Sequence, residues 1–335
     1  MPASSHRSPT LACLLLTLLA CGDPDATAVD PPLALELTAA DPPCTLEQII
    51  APATFDTTER SGVSADGRVF FIGTRPVQNG ESASWLAELV PNVESGALAP
   101  KNLVKGALGG TADGTLSGTP AGDACVFSGM AVRAQLIYAG CYALDGRASL
   151  IQVDLARGSV RAGAFSTCNA EPSVAPCKSV DVYPNGMAID AQGRVYASSF
   201  LVHLTGVADG ASILQIEVGA PPAEPQKLAF RYRPWVTSNL VADGLAPNGV
   251  QIERDTLYYA AGANINAVPI SSNGRAGRLR VQYHGIFLTY IDDFAVHDGN
   301  FVLARTLPLD LAAIAPNRFG VSRVLGTCAL PDFAI

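Results

Sequence analysis

Short apolar runs alternate with polar, glycine-bearing turns along most of this chain, and helical periodicity is scarce. One phrase recurs five times: a small polar residue, usually Gly, then an apolar residue. It reads Ser61-Gly62-Val63, Ser128-Gly129-Met130, Asn185-Gly186-Met187, Asn248-Gly249-Val250 and Asp292-Asp293-Phe294. Each copy leads through a turn into a β-run: Arg68–Ile72, Gln135–Ala139, Arg194–Ala197, Thr256–Ala260 and Asn300–Ala304. Alternation of this kind predicts antiparallel hairpins. Turn signals stand at Ala65-Asp66-Gly67, Asp145-Gly146, Ala191-Gln192-Gly193, Ser272-Asn273-Gly274 and His297-Asp298-Gly299. Further strands are expected at 84–89, 149–153, 212–216 and 265–270. A long loop is expected over 96–120 and a short helical insert over 307–314.

Successive copies start 67, 57, 63 and 44 residues apart. Repeats of roughly 40–50 residues with several strands each are the mark of propeller blades, and the longer steps leave room for loop insertions. The expected fold is therefore all-β: a β-propeller of six blades, one of them degenerate, each of four antiparallel strands. Residues 318–328 would complete a blade with the chain near Cys44, and a five-bladed ring stays open beside this reading. Equivalent positions in a propeller converge on one channel, which makes the polar residues of the phrase a candidate site.

The N-terminus reads as a targeting segment. Arg7 precedes an apolar run from Leu11 to Ala20, long enough for a signal-peptide core and too short to cross a bilayer, which needs about 20 residues. The sequence Leu18-Leu19-Ala20-Cys21 resembles a bacterial lipoprotein signal, which implies cleavage before Cys21 and acylation of that cysteine, palmitate included. A polar, Pro-rich stretch follows and reads as a tether. The expected organisation is a signal peptide over 1–20, lipidated Cys21 with its tether over 21–43, and the propeller over 44–335. Lipid would be the only link to the membrane. Gly22, rather than Asp, follows Cys21. By the sorting rule of enteric bacteria this favours the outer membrane over the inner one.

Of eight cysteines, Cys13 leaves with the signal and Cys21 is the lipid acceptor, so six remain. An even number in an exported chain favours disulfides, and six cysteines allow fifteen pairings. The favoured set is Cys168–Cys177, which closes a short loop, Cys125–Cys141 between neighbouring strands, and Cys44–Cys328 across the chain ends. A net charge of −8 with no basic stretch leaves nothing to meet a phosphate backbone, so nucleic acid is not an expected partner. The expectation is a monomer with a small-molecule ligand or substrate in the channel. No Gly-x-Ser-x-Gly elbow is present.

The segments Pro184–Tyr196, Pro247–Ile252 with Asp255–Tyr259, and Ile291–Val296 resemble the SMP-30/gluconolactonase/LRE-like superfamily, which includes strictosidine-synthase-like and paraoxonase-like six-bladed propellers. The resemblance implies a divalent cation, Ca²⁺ first, held by Asn185, Asn248, Asp292 and a first-blade Glu. It also implies hydrolysis of a lactone or related ester with Asp292 as base, or Asp293 in its place. Amide and carboxylate oxygens suit such an ion, which would polarise the ester carbonyl. The pattern places its Glu where this chain has Arg60, and Glu59 is the neighbouring carboxylate. Asn-Gly pairs are also strong turn formers, so structural roles for Asn185 and Asn248 compete. The alternative function is a non-catalytic propeller that binds a small ligand or a protein partner at the cell envelope.

Overall fold

The computed structural model describes residues 45–50, 57–76, 82–94, 98–108, 122–143, 145–170, 175–178, 182–199, 211–220, 227–237, 247–262, 264–284, 290–297, 300–306 and 321–325. The chain divides into units of residues 1–34 and 35–335, and all described residues belong to the second. The signal, the tether, Cys21, Cys44, Cys328 and the insert expected at 307–314 lie outside the described residues.

Strand β1 (Thr45–Ile50) precedes a run of antiparallel meanders. The first four-stranded sheet is β2 (Thr57–Val63), β3 (Val69–Pro76), β4 (Ser82–Pro91) and β5 (Leu98–Lys105). The second is β6 (Val126–Arg133), β7 (Leu136–Tyr142), β8 (Ala148–Asp154) and β9 (Ser159–Ala164). A single helical turn, α1 (Thr167–Ala170), leads to the third. That sheet is β10 (Pro184–Ile189), β11 (Val195–Ser199), β12 (Ala211–Val218) and β13 (Phe230–Thr237). The fourth is β14 (Pro247–Glu253), β15 (Thr256–Ala261), β16 (Asn264–Pro269) and β17 (Arg280–His284). Strands β18 (Tyr290–His297) and β19 (Asn300–Thr306) pair with each other. The last strand, β20 (Val321–Leu325), pairs antiparallel with β1, Thr45 opposite Leu325, as expected for 318–328.

Successive sheets meet chiefly through their first strands, β2 with β6, β6 with β10, β10 with β14 and β14 with β18. Strands that contact the next sheet in this serial way are the inner strands of a β-propeller. Five are described, and the expected sixth is not among the described residues. One expectation is corrected. The glycine content of 96–120 predicts a loop, yet β5 runs through its first part because Leu103 and Val104 are buried in the core.

Apolar clusters sit between neighbouring sheets, as the two-residue side-chain period requires. Phe70, Ile72 and Leu86 of the first sheet meet Phe127, Met130 and Ile137 of the second. Tyr138 and Leu150 meet Met187 and Leu214. Tyr196 and Ile213 meet Val250 and Tyr259, and Ala260 and Ile265 meet Ile291 and Phe294. Full burial of such side chains stabilises by roughly 1.5–3 kcal/mol each. Phe71 and Ala87, on the opposite face of the first sheet, are fully buried too, so that sheet is covered on both faces.

Hydroxyls bridge sheet to sheet. The Ser84 Oγ accepts from the Phe127 N–H at 2.9 Å, and Ser128 donates to the Pro184 carbonyl at 2.6 Å. The Ser198 Oγ accepts from the Gly186 N–H at 2.6 Å and donates to the Asn248 carbonyl at 2.8 Å. At the β10–β11 turn the buried Asp190 carboxylate accepts from the Gln192 and Arg194 N–H groups, the Arg194 Nε–H and the Tyr196 hydroxyl. Burial pushes the Tyr196 hydroxyl up to about 12, and does the same to Tyr232. Trp235, on β13, rests edge-on against Tyr196 and donates to the Gly274 carbonyl at 2.7 Å, a packing role. Cys125–Cys141 and Cys168–Cys177 form disulfides, with Cα atoms 5.7 and 5.3 Å apart.

Candidate functional site

Each inner strand carries one residue more than its partner, at the same place. The pairing register jumps between Thr58 and Arg60 on β2, between Phe127 and Gly129 on β6, and between Ile291 and Asp293 on β18. On β10 it jumps between Pro184 and Met187, and on β14 between Pro247 and Val250. A bulge bends its strand and re-aims a side chain. It puts Glu59, Ser128, Asn185, Asn248 and Asp292 at equivalent backbone positions, each just before the residue that the repeat gives as Gly.

This corrects the first copy of the phrase. Its structural counterpart is Glu59-Arg60-Ser61, not Ser61-Gly62-Val63. The turn confirms the register: Ser64 closes its turn onto Arg68 as Asp190 closes its own onto Arg194, each five residues beyond the bulge. Gly62 imitates the phrase, but strand pairing, not residue type, sets the bulge. For the same reason Asn185 and Asn248 sit in bulged strands and not in the turns that Asn-Gly suggests.

The glycines have a steric cause. A Cβ at Gly129 would overlap the Asn185 carbonyl oxygen, and one at Gly186 would overlap that of Asn248. Ser128, Asn185 and Asn248 therefore stand on adjoining stretches of backbone. At the equivalent positions of the first and fifth inner strands the chain has Arg60 and Asp293 instead.

Those two residues meet. Arg60, only 7% exposed, places its Nη1 2.7 Å from the Asp293 carboxylate and donates from Nη2 to the Asn248 Oδ1 at 2.6 Å. One side chain thus links β2, β14 and β18. Asn185 is 8% exposed, and its amide, unlike the Ser199 Oγ, is not sealed from solvent. The Ser199 Oγ, opposite Pro184 on β11, is buried without a partner. The side chains of Glu59 and Asp292 lie outside the described residues. Sequence reasoning missed Arg60 as a site residue, although a charge inside an inner-strand phrase was a signal for it. It missed Ser198 as well, for which nothing local gave one.

Of the cation ligands implied by sequence, Asn248 is the one with a described contact, and its Oδ1 already accepts from a guanidinium. A divalent ion about 4 Å from that guanidinium would be repelled by about 8 kcal/mol at an effective dielectric near 20. The Asn248 Oδ1 is therefore not open to a divalent cation while Arg60 stands there. The carboxylate described at the site is that of Asp293, one residue past Asp292.

No known family matches this chain, and no curated protein does. Among solved structures it is similar to a glucose dehydrogenase, at 12% identity over 74% of this chain and 79% of that one, with a TM-score of 0.43. It is similar to the PQQ-bound aldose sugar dehydrogenase of Streptomyces coelicolor, at 11% identity over 79% and 99%, with a TM-score of 0.34. It is also similar to a chain of the nidogen/laminin complex, at 11% identity over 72% and 70%, with a TM-score of 0.39. Likeness of this degree carries no argument about chemistry, and the propeller assignment rests on sheet order and inner-strand contacts.

Proposed function

We propose that this chain is a β-propeller that binds a small polar ligand between its inner strands, held at the cell envelope by lipid on Cys21. The observation that carries this reading is the Asn185 amide. That amide is engaged by no described hydrogen bond and keeps contact with solvent, so a ligand offering hydroxyls could pair with it, beside the enclosed and unpaired Ser199 Oγ. Arg60, Asp293 and Asn248 beside it present both donors and acceptors. We read the ring as five-bladed, with β18, β19, β20 and β1 forming the fifth blade. The Arg60–Asp293 pair and the burial of Phe71 and Ala87 support closure of the fifth blade onto the first.

The test is a thermal-shift panel of sugars, sugar acids and lactones on the full chain in detergent, with hydrolysis followed in parallel. A binder should raise the melting temperature without turnover. Asn185→Ala should abolish that rise while leaving the ligand-free melt almost unchanged. A panel in which no compound shifts the melt would count against the reading.

The shared bulge at Glu59, Asn185, Asn248 and Asp292 favours a second reading, a divalent-cation-dependent lactone or ester hydrolase. Arg60 opposes it. Turnover that requires added Ca²⁺, Mg²⁺ or Mn²⁺ and disappears in both Asn248→Ala and Asp292→Ala would establish it over the first.

A further inference from the structure

We infer that Arg60 is the resident cation of the inner ring, a guanidinium that takes over the ring-linking role of a metal ion and leaves the site metal-independent. Among the described residues the chain departs from its own repeat at two of five equivalent positions. Glycine stands at 129, 186 and 249, while Arg60 and Asp293 stand on the first and fifth inner strands. These two departures are in contact, 2.7 Å apart. A cation and its counter-ion at paired positions of a repeat form one device.

The geometry suits a guanidinium in particular. Its planar fork sends N–H groups in different directions at once. Nη1 faces the Asp293 carboxylate and Nη2 faces the Asn248 amide oxygen. Both partners offer oxygen, the donor type that a hard cation selects, and both are turned toward Arg60. An ion would link inner strands by drawing such oxygens together. Here a covalently attached cation does so, and Arg keeps its charge at every pH the fold survives. Chelators and scarce metal would leave the ring intact.

If Arg60 holds a cation's place, removing it should create a cation site. Asn248 Oδ1 and the Asp293 carboxylate would then face each other without the charge between them, with Asn185 on the adjoining strand and water completing the shell. The experiment is a thermal melt of the full chain in detergent with EDTA, Ca²⁺, Mg²⁺ or Mn²⁺, on the wild type, Arg60→Gln and Arg60→Gln/Asp293→Asn. The wild type should melt at one temperature in all conditions. Arg60→Gln should melt lower in EDTA and regain several degrees with Ca²⁺ or Mn²⁺, and the double variant should lose that gain. A wild-type melt that rises with metal and falls with EDTA would overturn the inference. So would a folded Arg60→Gln indifferent to every ion. Should Arg60→Gln not fold, Arg60→Lys decides the matter: an ammonium keeps the charge and predicts indifference to metal, whereas a metal-raised melt in Arg60→Lys would refute the resident-cation role. This outcome is separate from ligand binding at Asn185, which can succeed or fail in either case.

Discussion

The Arg60 guanidinium on β2 lies 2.7 Å from the Asp293 carboxylate on β18, joining the first and the fifth of the described inner strands. On the other three described inner strands glycine occupies this position, and at Gly129 and Gly186 neighbouring backbones close in on each other. At this junction a charged pair spans the strands instead. The proposed ring closure and the polar centre of the candidate site therefore rest on the same two side chains.

The glycines make the first prediction. Gly129→Ala and Gly186→Ala each drive a methyl into a neighbouring carbonyl oxygen. Overpacking of this kind costs about 1–3 kcal/mol, and the obstacle here is backbone. Gly219→Ala is the control, because its Cβ would find its nearest neighbour at 3.5 Å, an ordinary contact. Chemical denaturation should show the first two clearly destabilised and Gly219→Ala within about 0.5 kcal/mol of wild type.

Alkaline pH makes the second. Tyr196 and Tyr232 are held at about 12 by burial, above the ordinary tyrosine value. Between that value and 12 the unfolded chain has released these protons and the folded chain retains them. Stability then falls as pH rises. The contribution is fully present below pH 10 and is lost as pH passes 12. Melts across this window should fall more steeply for wild type than for Tyr196→Phe/Tyr232→Phe.

Much of the fold was legible in the sequence because strand alternation and turn glycines are local signals. All five phrases and their β-runs fall on the first two strands of a sheet, and the end segment pairs with β1 as expected. The site was less legible, since its key relationships span 188 residues between Arg60 and Asn248. Local reading also aligned the first copy two residues late. Gly62 satisfied the pattern, while the bulge at Glu59 follows from pairing with β3, which no local residue type announces. Arg60 therefore read as a missing ligand when its contacts make it the centre of the network. The two disulfides whose cysteines lie within the described residues followed from cysteine spacing and strand adjacency.

Those disulfides make the third prediction. Cys125–Cys141 closes a 16-residue separation and Cys168–Cys177 one of 9. Chain entropy alone gives each roughly 3 kcal/mol. Cys125 and Cys141 are also buried in the apolar layer between the first two sheets, so their replacement adds a packing loss. Cys125→Ala/Cys141→Ala should lower the melting temperature more than Cys168→Ala/Cys177→Ala. Equal losses would remove the packing contribution.

The most direct test of the account is a double-mutant cycle on Arg60→Gln and Asp293→Asn in the full chain, read by chemical denaturation. Side chains in contact couple by roughly 0.5–3 kcal/mol, and a pair this close, with Arg60 buried and Asp293 half-buried, belongs in the upper half of that range. A coupling of that size places Arg60 and Asp293 together at the closure of the ring. Additive losses would mean that the two do not interact, and would contradict both the closure and the site built on it.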